Sequence, residues 1–162
     1  MITKFRGEYA FLSNFYPSKV VLYGFTYYTV EHAYQASKSS DEFERQFIRA
    51  LVTPMEAKRA GNSRLHEFRS DWEDVKVDIM TDLVRQKFNI SALGQLLIAT
   101  DPIEIVEGND WHDTFWGKCY CGKCKGEGCN HLGEILMEVR EELICNQEEK
   151  HMVDAITQKD EK

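Results

Sequence analysis

The pattern of hydrophobic and polar positions predicts one short β element followed by a chain that is mostly helical. Residues 18–28 (SKVVLYGFTYY) carry β-branched and aromatic residues on both sides of Gly24. Such residues around a glycine that tolerates positive φ are typical of a β-hairpin, so we predict one here. The preceding stretch FLSNFYP, residues 11–17, contains Asn and Pro and is predicted as a loop.

Apolar residues recur with a period near 3.6 through most of the remaining chain, which indicates amphipathic helices. Thr53-Pro54 is typical of a helix start and Gly61 of its end. We expect Ser70 to begin the longest helix and Ser91 to cap a shorter one. The expected helices and their apolar residues are 30–39; 41–51 with Phe43, Phe47, Ile48 and Leu51; 54–61; 70–88 with Trp72, Val75, Ile79, Leu83 and Phe88; one from 91 with Leu93, Leu96 and Leu97; and one from about 132 with Ile135, Leu136, Val139 and Leu143.

Three segments lack a helical period. IEIVE, residues 103–107, alternates like a short strand. Residues 108–131 hold five glycines, four cysteines and two tryptophans, and we predict a long structured loop there. The chain is polar from Gln147 onward. We therefore predict a mainly α single domain over residues 1–146, with a small N-terminal β-hairpin, and a polar C-terminal tail over residues 147–162.

Composition narrows the possible classes of function. The 162 residues carry a net charge of −7, whereas sequence-blind binding of nucleic acid needs clustered positive charge. The length suffices for a core that needs no disulfide or metal. The N-terminus lacks the apolar core of a signal peptide, and no stretch approaches the roughly 18 apolar residues of a membrane span. We expect a cytoplasmic protein without membrane contact.

An acid, an amide and an amine follow one another at helical spacing in TVEHAYQASK, residues 29–38. Glu31, Gln35 and Lys38 stand at i, i+4 and i+7, so a helix places them on one face. The simpler interpretation is a solvated face. The flanking aromatic residues favour a second one, in which the row borders a pocket. Partial burial there raises the pKa of a glutamate and lowers that of a lysine, which suits proton transfer or nucleophilic attack.

A second candidate is the aromatic stretch NDWHDTFWG, residues 109–117. Trp111, Phe115 and Trp116 can form a stacking wall for a nucleobase, and Asp113 supplies an acid beside it. The alternative is that these rings anchor the loop or the core.

The cysteines of CYCGKCKGEGCNH, residues 119–131, suggest a zinc site. Their C-x-C-x2-C-x4-C spacing differs from the paired C-x2-C of a zinc ribbon. We therefore predict no metal and no cofactor, and keep zinc as the less favoured alternative. Its candidate ligands are Cys119, Cys121, Cys124 and Cys129, with His112 and His131 nearby.

Three other places suit a substrate phosphate or hydroxyl. The glycines around Lys123 and Lys125 allow the backbone to approach a phosphate, and Asn130 precedes a helix whose free N–H groups attract anions. Asn14 can hydrogen-bond a substrate, although asparagine in a turn is usually structural. Arg69 suits a phosphate and a salt bridge equally well.

Six ordered motifs resemble the NADAR family, also called YbiA-like. They are FLSNFYP, TVEHAYQASK, TPMEAKRAG, RSDWEDVKVDIM, NDWHDTFWG and GCNHLGEILMEVR, and the resemblance covers residues 5–143. It implies an orthogonal bundle of helices and N-glycosidase activity, the cleavage of a bond between a ribosyl carbon and a nitrogen. One branch of the family is associated with phosphoribosylamino-pyrimidine intermediates of riboflavin synthesis, and another with removal of ADP-ribose from guanine.

The family's functional positions match this sequence without departure. The resemblance implies functional roles for the motif glutamate (Glu31), the lysine that follows it (Lys38), the aspartate (Asp113) and tryptophan (Trp116) of the aromatic motif, and the asparagine of the last motif (Asn130).

Each of these residues has an expected role in cleavage of the glycosidic bond. We expect Glu31 to shuttle a proton and stabilise the developing charge at C1, and Lys38 to attack C1 or to act through its charge. Asp113 is expected to orient the ribose or to serve as a second carboxylate. The expected substrate-binding residues are Asn14, Gln35, Arg69, Trp72, Trp111, Trp116, Gly117 and Asn130, with Trp111 and Trp116 flanking the base.

The expected partner is a nucleotide-like small molecule or an ADP-ribosylated guanine in nucleic acid. The riboflavin branch often accompanies biosynthetic domains, and this sequence contains none, so we favour ADP-ribosylated guanine. The riboflavin intermediates remain the alternative within the enzyme class. Outside it, the alternatives are a non-catalytic ADP-ribose or nucleotide-binding module and a zinc-stapled interaction module.

Overall fold

The computed structural model describes residues 1–63, 65 and 67–160, the last three without their side chains. Its α-helices are α1 (Val30–Ser37), α2 (Glu42–Ala50), α3 (Pro54–Ser63), α4 (Trp72–Phe88), α5 (Ser91–Ile98) and α6 (His131–Asp160). Its strands are β1 (Val20–Leu22) paired with β2 (Phe25–Tyr27), and β3 (Gly108–Asn109) paired with β4 (Lys118–Cys119). The prediction of a mainly helical single domain with a small N-terminal β-hairpin is confirmed.

The hairpin forms where the sequence predicts it. Strands β1 and β2 are antiparallel, and Tyr23 and Gly24 at the turn both have positive φ, 50° and 80°. Two positive φ values fit the right-handed twist of the flanking strands. The loop predicted for FLSNFYP is only partly correct, because its first two residues end a 3-10 helix, Gly7–Leu12. Phe11 and Leu12 in that turn are buried in the core.

Helix α1 is the central element of the fold, and all eight of its residues are buried. It packs against α2, α3, α4 and the hairpin. Thr29 caps its N-terminus by accepting a 3.1 Å hydrogen bond from the backbone N–H of His32. The buried His32 ring also contacts the Leu51 carbonyl at 3.1 Å, which ties α1 to the end of α2. The simpler interpretation of a solvated face is therefore wrong for Glu31 and Gln35.

Helix α2 forms as predicted, but its apolar stripe is not a core stripe. Ile48 is fully buried, whereas Phe43 is 87% exposed and Phe47 is 48% exposed. A helix of nine residues at the edge of the domain meets α1 and α3 through one narrow face. Apolar residues beside that face remain in solvent.

Helix α3 begins as predicted and ends later than predicted. Thr53 Oγ1 accepts from the Glu56 N–H at 3.2 Å, and Glu56 Oε2 accepts from the Thr53 N–H at 2.9 Å, which is a capping box. The helix then continues through Gly61 to Ser63. Gly61 is a packing position: a Cβ there would lie 2.0 Å from Gln35 Oε1. The glycine lets α3 approach the polar row of α1 closely.

The next two helices differ from prediction at their starts. Helix α4 begins at Trp72 rather than Ser70, and it is not the longest helix. Ser91 is the first residue of α5 and not its cap, a position that Ile90 takes. Leu93 and Leu97 of α5 are buried, but Leu96 is 46% exposed.

The predicted strand at 103–107 is not a strand. Ile105 forms an isolated parallel bridge with Ile2, through the hydrogen bonds Ile2 N to Glu104 O and Val106 N to Ile2 O, both 2.8 Å. The segment pairs with the N-terminus at this one residue pair, and a single bridge does not make a β-ladder. The strand β3 begins just after it and pairs in parallel with β4 inside the predicted loop.

Helix α6 is the longest in the described part of the chain, with 30 residues. Leu132, Ile135, Leu136 and Val139 on its first turns are buried. The residues from Gln147 are polar and mostly exposed, yet the helix continues through them to Asp160. Across the described residues, none of the helices has the length and apolar character needed to cross a membrane.

Candidate active site

Helix α1 carries a buried carboxyl beside a buried amide. Glu31 is 7% exposed, and its Oε1 accepts a 2.8 Å hydrogen bond from Gln35 Nε2. Burial raises the pKa of Glu31, opposed by the hydrogen bond from Gln35 and by the charges of Lys58 and Lys38. A carboxyl in such surroundings retains its proton at a higher pH than a solvated one and can donate it to a leaving group.

Lys38, the residue after α1, carries the amine of the row. Its Nζ donates a 2.9 Å hydrogen bond to Asn62 Oδ1 and lies 5.5 Å from the Tyr34 ring centroid and 5.8 Å from that of Trp72. Burial lowers the pKa of Lys38 to about 8, and the charge of Glu31 opposes that shift. About a tenth of such an amine is unprotonated at pH 7. The acid and the amine therefore share one electrostatic environment, as the sequence predicts.

Helix α3 contributes two polar groups that the sequence analysis missed. Asn62 holds Lys38, and Lys58 places its Nζ 5.2 Å from the Trp111 ring and 5.9 Å from that of Phe15. The charge of Lys58 acts on both Glu31 and Glu107. The sequence did contain a sign of this. Lys58 and Asn62 are four residues apart and so lie on one face of α3, and each follows a small residue, Ala57 or Gly61, that is buried.

Asp113 uses part of its carboxylate to shape its own loop. Its Oδ1 accepts from the backbone N–H groups of Phe115, at 3.2 Å, and Trp116, at 2.9 Å. Asn109 holds the Asp113 backbone through two further hydrogen bonds of 2.7 and 3.1 Å. The charge of Asp113 raises the pKa of Glu31. The structure thus brings the three predicted catalytic residues, Glu31, Lys38 and Asp113, into one neighbourhood.

The three tryptophans differ in what they can offer a ligand. Trp111 is 55% exposed and has an accessible ring. Trp116 is half-buried, donates from Nε1 to the Tyr34 hydroxyl at 3.1 Å and stands perpendicular to the Tyr34 ring. Trp72 is buried, with its ring 5.1 Å from Tyr34 and 6.1 Å from Phe68. Of the three rings predicted to form a stacking wall, Trp111 is therefore accessible, while Phe115 and Trp116 pack edge-to-face with their centroids 4.9 Å apart. The Trp72 ring lies 5.8 Å from the Lys38 amine.

Gly117 and Asn130, both predicted to bind substrate, hold the segment before β3. A Cβ at Gly117 would lie 2.0 Å from Glu107 Oε2, so only glycine admits this side chain. Asn130 Oδ1 accepts from the Glu107 N–H at 2.9 Å, and its Nδ2 donates to the Ile105 carbonyl at 3.0 Å. Both polar ends of this buried amide are occupied by backbone. Its φ of 58° suits asparagine in this left-handed position.

Glu107 is a second carboxyl that the sequence analysis missed; the residue is half-buried and its Oε2 is buried. Within the described part of the chain its Oε2 has no hydrogen-bond partner. Burial and the nearby Asp113 charge raise the pKa of Glu107 to about 7, against the opposing effects of the Lys58 charge and a hydrogen bond with Asn109. Nothing in the local sequence marks it, because IEIVE is typical of a half-buried strand and a solvated glutamate.

The Glu107→Gln variant is expected to be more stable than the wild type above pH 7. The folded-state pKa is raised from its ordinary 4.5 to about 7, so Glu107 favours folding below pH 4.5 and loses that contribution as the pH rises to 7. Glutamine does not titrate. Urea unfolding should show little difference at pH 4 and a gain of up to about 3 kcal/mol at pH 8.

The matched control for this prediction is Glu104→Gln, because Glu104 is exposed three residues earlier. It should leave the unfolding midpoint unchanged at both pH values. Equal midpoints for Glu107→Gln and the wild type at pH 8 would contradict the idea that burial disfavours the ionised form of Glu107.

Arg69 lies beyond the C-terminal end of α1. Its guanidinium forms a two-point salt bridge with Asp71, at 2.6 and 2.9 Å, and donates to the Tyr23 hydroxyl at 2.7 Å. Its backbone N–H donates to the Lys38 carbonyl at 2.9 Å, which places it next to the amine. A cleft of about 410 Å³ opens here, lined by Ser40, Arg45, Phe68, Arg69, Ser70 and Asp71. Arg69 therefore forms a salt bridge, and it also lines a cleft in which a phosphate could bind, so both predicted roles fit this position.

Asn14 acts on the site through its backbone. Its carbonyl accepts a 3.0 Å hydrogen bond from the Glu31 N–H, and its side-chain Nδ2 donates to Met80 Sδ at 3.4 Å. Buried Lys87 holds the same turn through a 2.7 Å bond to the Ser13 carbonyl. Asn14 thus fixes the start of α1, as a turn asparagine usually does, and its side chain is directed to a core sulfur.

The cysteine loop brings together three of the four predicted zinc ligands. Cys119, Cys121 and Cys124 converge with His112, and their ligand atoms all lie within 4.8 Å of one another. Cys129 is exposed and is not in this group. The imidazole therefore takes the place that the zinc alternative gave to Cys129.

Known proteins are similar to this chain over most of its length. Residues 3–144 match the family model for the NADAR domain. The chain is 41% identical to N-glycosidase YbiA of Escherichia coli, over 84% of this chain and 82% of that protein. It is 40% identical to an N-glycosidase of Nostoc punctiforme, over 83% of this chain and 86% of that protein. A riboflavin biosynthesis protein of Vibrio vulnificus is 36% identical over 84% of this chain but only 36% of its own length.

The fold agrees as well. The NMR structure of Escherichia coli YbiA matches this one with a TM-score of 0.75 at 38% identity, covering 90% of this chain and 84% of that chain. Motifs, site geometry, family model and fold all lead to the same assignment: this chain belongs to the NADAR domain family.

Proposed function

We propose that this protein is an N-glycosidase that hydrolyses a ribosyl C1–N bond and that it releases ADP-ribose from ADP-ribosylated guanine. The N-glycosidase names of its relatives support the reaction class. The observation that carries the proposal is the arrangement of Glu31 and Lys38. Glu31 lies in the first turn of the buried helix α1, and Lys38 follows its last residue. Burial raises the pKa of Glu31 and lowers that of Lys38, and the charge of each side chain acts on the other.

The chemistry follows from these two groups. The C1–N bond breaks with its electron pair on the base nitrogen, which takes a proton from Glu31, while the Lys38 amine forms a bond to C1. Opening of the ribose ring converts this adduct to a Schiff base. Water then adds to the Schiff-base carbon, releases the sugar, restores the Lys38 amine and returns a proton to Glu31. If Lys38 remains protonated, its charge stabilises the negative charge that develops on the departing base, and water attacks C1 directly.

Two unpartnered acceptors near Glu31 suit the hydroxyl groups of a ribose. Gln35 Oε1 and Glu107 Oε2 are buried without a hydrogen-bond partner in the described part of the chain. Buried acceptors in native proteins are nearly always satisfied, and a sugar hydroxyl is a donor of the right size. Asp113 adds a carboxylate in the same neighbourhood, and Trp111 and Trp116 offer faces and edges to the departing base.

The cleft at the end of α1 favours the longer ADP-ribose over a ribose monophosphate. The Arg69 N–H donates to the Lys38 carbonyl at 2.9 Å, so the cleft adjoins the residue that carries the amine. Arg45 and Arg69 line it with two guanidinium groups, of which Arg69 is paired with Asp71, and Phe68 is 53% exposed beside them. Guanidinium groups suit a diphosphate, and an exposed ring suits adenine.

The Arg45→Ala variant is expected to weaken inhibition by ADP-ribose about tenfold and to leave inhibition by ribose 5-phosphate unchanged. Loss of one charged hydrogen bond costs about 1.5 kcal/mol, which is about tenfold in affinity. Competition assays with both ligands measure this, with exposed Arg6→Ala as the control. Equal weakening of both ligands, or of neither, would place the diphosphate elsewhere.

The choice of substrate is tested directly by incubating the protein with ADP-ribosylated guanosine and, separately, with a phosphoribosylamino-pyrimidine. Chromatography of the released base measures each reaction, with Glu31→Gln as the blank. Faster release from the pyrimidine would favour the riboflavin branch, which the name of the Vibrio vulnificus relative supports. Tight ADP-ribose binding without base release would favour a binding module. A cytoplasmic location remains part of this proposal.

A further inference from the structure

The loop that carries Asp113 also carries a cluster of soft metal ligands outside the acid–amine site. It consists of His112, Cys119, Cys121 and Cys124, and their ligand atoms lie within 4.8 Å of one another. All three cysteines are free thiols. We propose that this cluster binds one structural Zn²⁺ ion, which fixes the loop against the active site.

The distances within the cluster match a tetrahedral zinc site. His112 Nδ1 lies 3.3 Å from Cys124 Sγ, 3.5 Å from Cys121 Sγ and 4.0 Å from Cys119 Sγ. With Zn–S of about 2.3 Å and Zn–N of about 2.0 Å, a tetrahedral site places nitrogen and sulfur about 3.6 Å apart. The three nitrogen–sulfur distances bracket that value. The sulfurs, which lie within 4.8 Å of one another, need to approach to about 3.8 Å to coordinate the ion tetrahedrally.

The backbone around the cysteines presents them in one direction. Cys121 and Cys124 are three residues apart, and the Cys124 N–H donates to Cys121 Sγ at 3.4 Å. Lys125 and Gly126 follow with positive φ, 50° and 93°, which turns the chain back toward β4. There the Gly126 N–H donates to the Cys119 carbonyl at 2.7 Å. This compact turn holds the sulfurs together without a disulfide.

The imidazole distinguishes a metal site from a set of packed thiols. One Nδ1 faces three sulfurs, whereas an N–H there donates well to a single acceptor. A disulfide would join two sulfurs and leave the third beside the ring. His112 also has a φ of 68°, a conformation uncommon for non-glycine residues, and it keeps this conformation with its ring toward the sulfurs.

The ligand set selects zinc and a structural role. Three cysteines and one histidine at tetrahedral positions are typical of structural zinc, and four protein ligands leave no open position for water. Binding releases three thiol protons and gives the site a net charge of −1. Lys118, Lys123 and Lys125 are interspersed among the ligands and offset that charge.

The position of the ligands connects the metal to the active site. His112 lies between Trp111 and Asp113 in the chain, and Cys119 ends β4, which pairs with β3. Coordination therefore restrains both ends of the segment that carries the aromatic wall and the second carboxylate. This positioning role rests on the proposed function, whereas the metal site itself does not.

The proposal is tested by measuring zinc in the purified protein by mass spectrometry of the element. We expect about one zinc per chain in the wild type and in the control Cys129→Ser, whose exposed thiol lies outside the cluster. Cys121→Ser and His112→Ala should each lose most of the metal. Equal zinc in all four proteins, or none in a wild type produced and purified with added zinc, would overturn the proposal.

A second measurement keeps the test decisive if a ligand variant fails to fold. The wild type stripped by a chelator and reloaded with Co²⁺ should show the visible bands of a tetrahedral thiolate complex. Removing the metal should speed hydrogen exchange of backbone amides in 109–129 and leave α1 and α4 unchanged. Absence of the cobalt bands, or unchanged exchange in the loop, would overturn the proposal. Either outcome is independent of whether the protein cleaves a glycoside.

Discussion

Replacing Glu31 by glutamine is expected to lower turnover at least 100-fold while the fold remains intact, the scale of a lost acid–base group. Glutamine keeps the shape and the Oε1 acceptor that Gln35 Nε2 bonds, so the packing of α1 is preserved. It cannot donate a proton of comparable acidity to the departing nitrogen. Because burial already raises the pKa of Glu31, the neutral amide also relieves a desolvated charge, and thermal stability at pH 8 should not fall.

Steady-state turnover and thermal unfolding of the same preparation separate these effects. The control is Glu104→Gln, which changes an exposed carboxyl and should leave both quantities unaltered. Near wild-type turnover in Glu31→Gln would remove this residue from the mechanism. Loss of turnover together with loss of folding would contradict the expectation that the fold remains intact, and would assign the Glu31 carboxyl a structural role.

Removing the amine of Lys38 is expected to have an effect of similar size. Lys38→Ala should lower turnover at least 100-fold, because the variant has neither a nucleophile for C1 nor a cation to stabilise the negative charge that develops on the departing base. Lys19→Ala, at an exposed position before the hairpin, is the control. Near wild-type turnover in Lys38→Ala would assign the attack on C1 to water without help from this side chain.

The pH dependence separates attack by Lys38 from stabilisation by its charge. The pKa of Lys38 is lowered to about 8, so the free amine increases as the pH rises from 7 to 9. If the amine attacks, borohydride added during turnover should trap a sugar adduct on Lys38, with a yield that increases over this range. If the cation acts, turnover should decrease over the same range and no adduct should be found by mass spectrometry.

The sequence predicts the elements of this fold well where residues close together in the chain determine the local structure. The hairpin is marked by strand-forming residues around Gly24, and the start of α3 is marked by Thr53-Pro54. Predictions failed where a residue depends on what packs against it. Gly61 resembles a helix end, yet it lies inside α3 because Gln35 occupies the space where a side chain would extend.

The same distinction holds for the candidate site. Glu31, Gln35 and Lys38 are predicted as one row because a helix repeats its faces regularly along the chain. Lys58 and Glu107 were missed because they come from other elements, and their relevance lies in the charges that they bring to Glu31. His112 was noted only as a neighbour of the cysteines, and a loop without a period gives no rule for which side chains converge.

The sequence by itself determined the helical architecture, the polar row of α1 and membership in a family whose motifs occur in order. Those properties follow from local periodicity and capping, which act over a few residues. Only the tertiary structure decided that the row is buried, because burial depends on α2, α3 and α4 closing around α1. Desolvation then raises the pKa of Glu31 and lowers the pKa of Lys38. No pattern along the chain predicts how much water is excluded from a side chain.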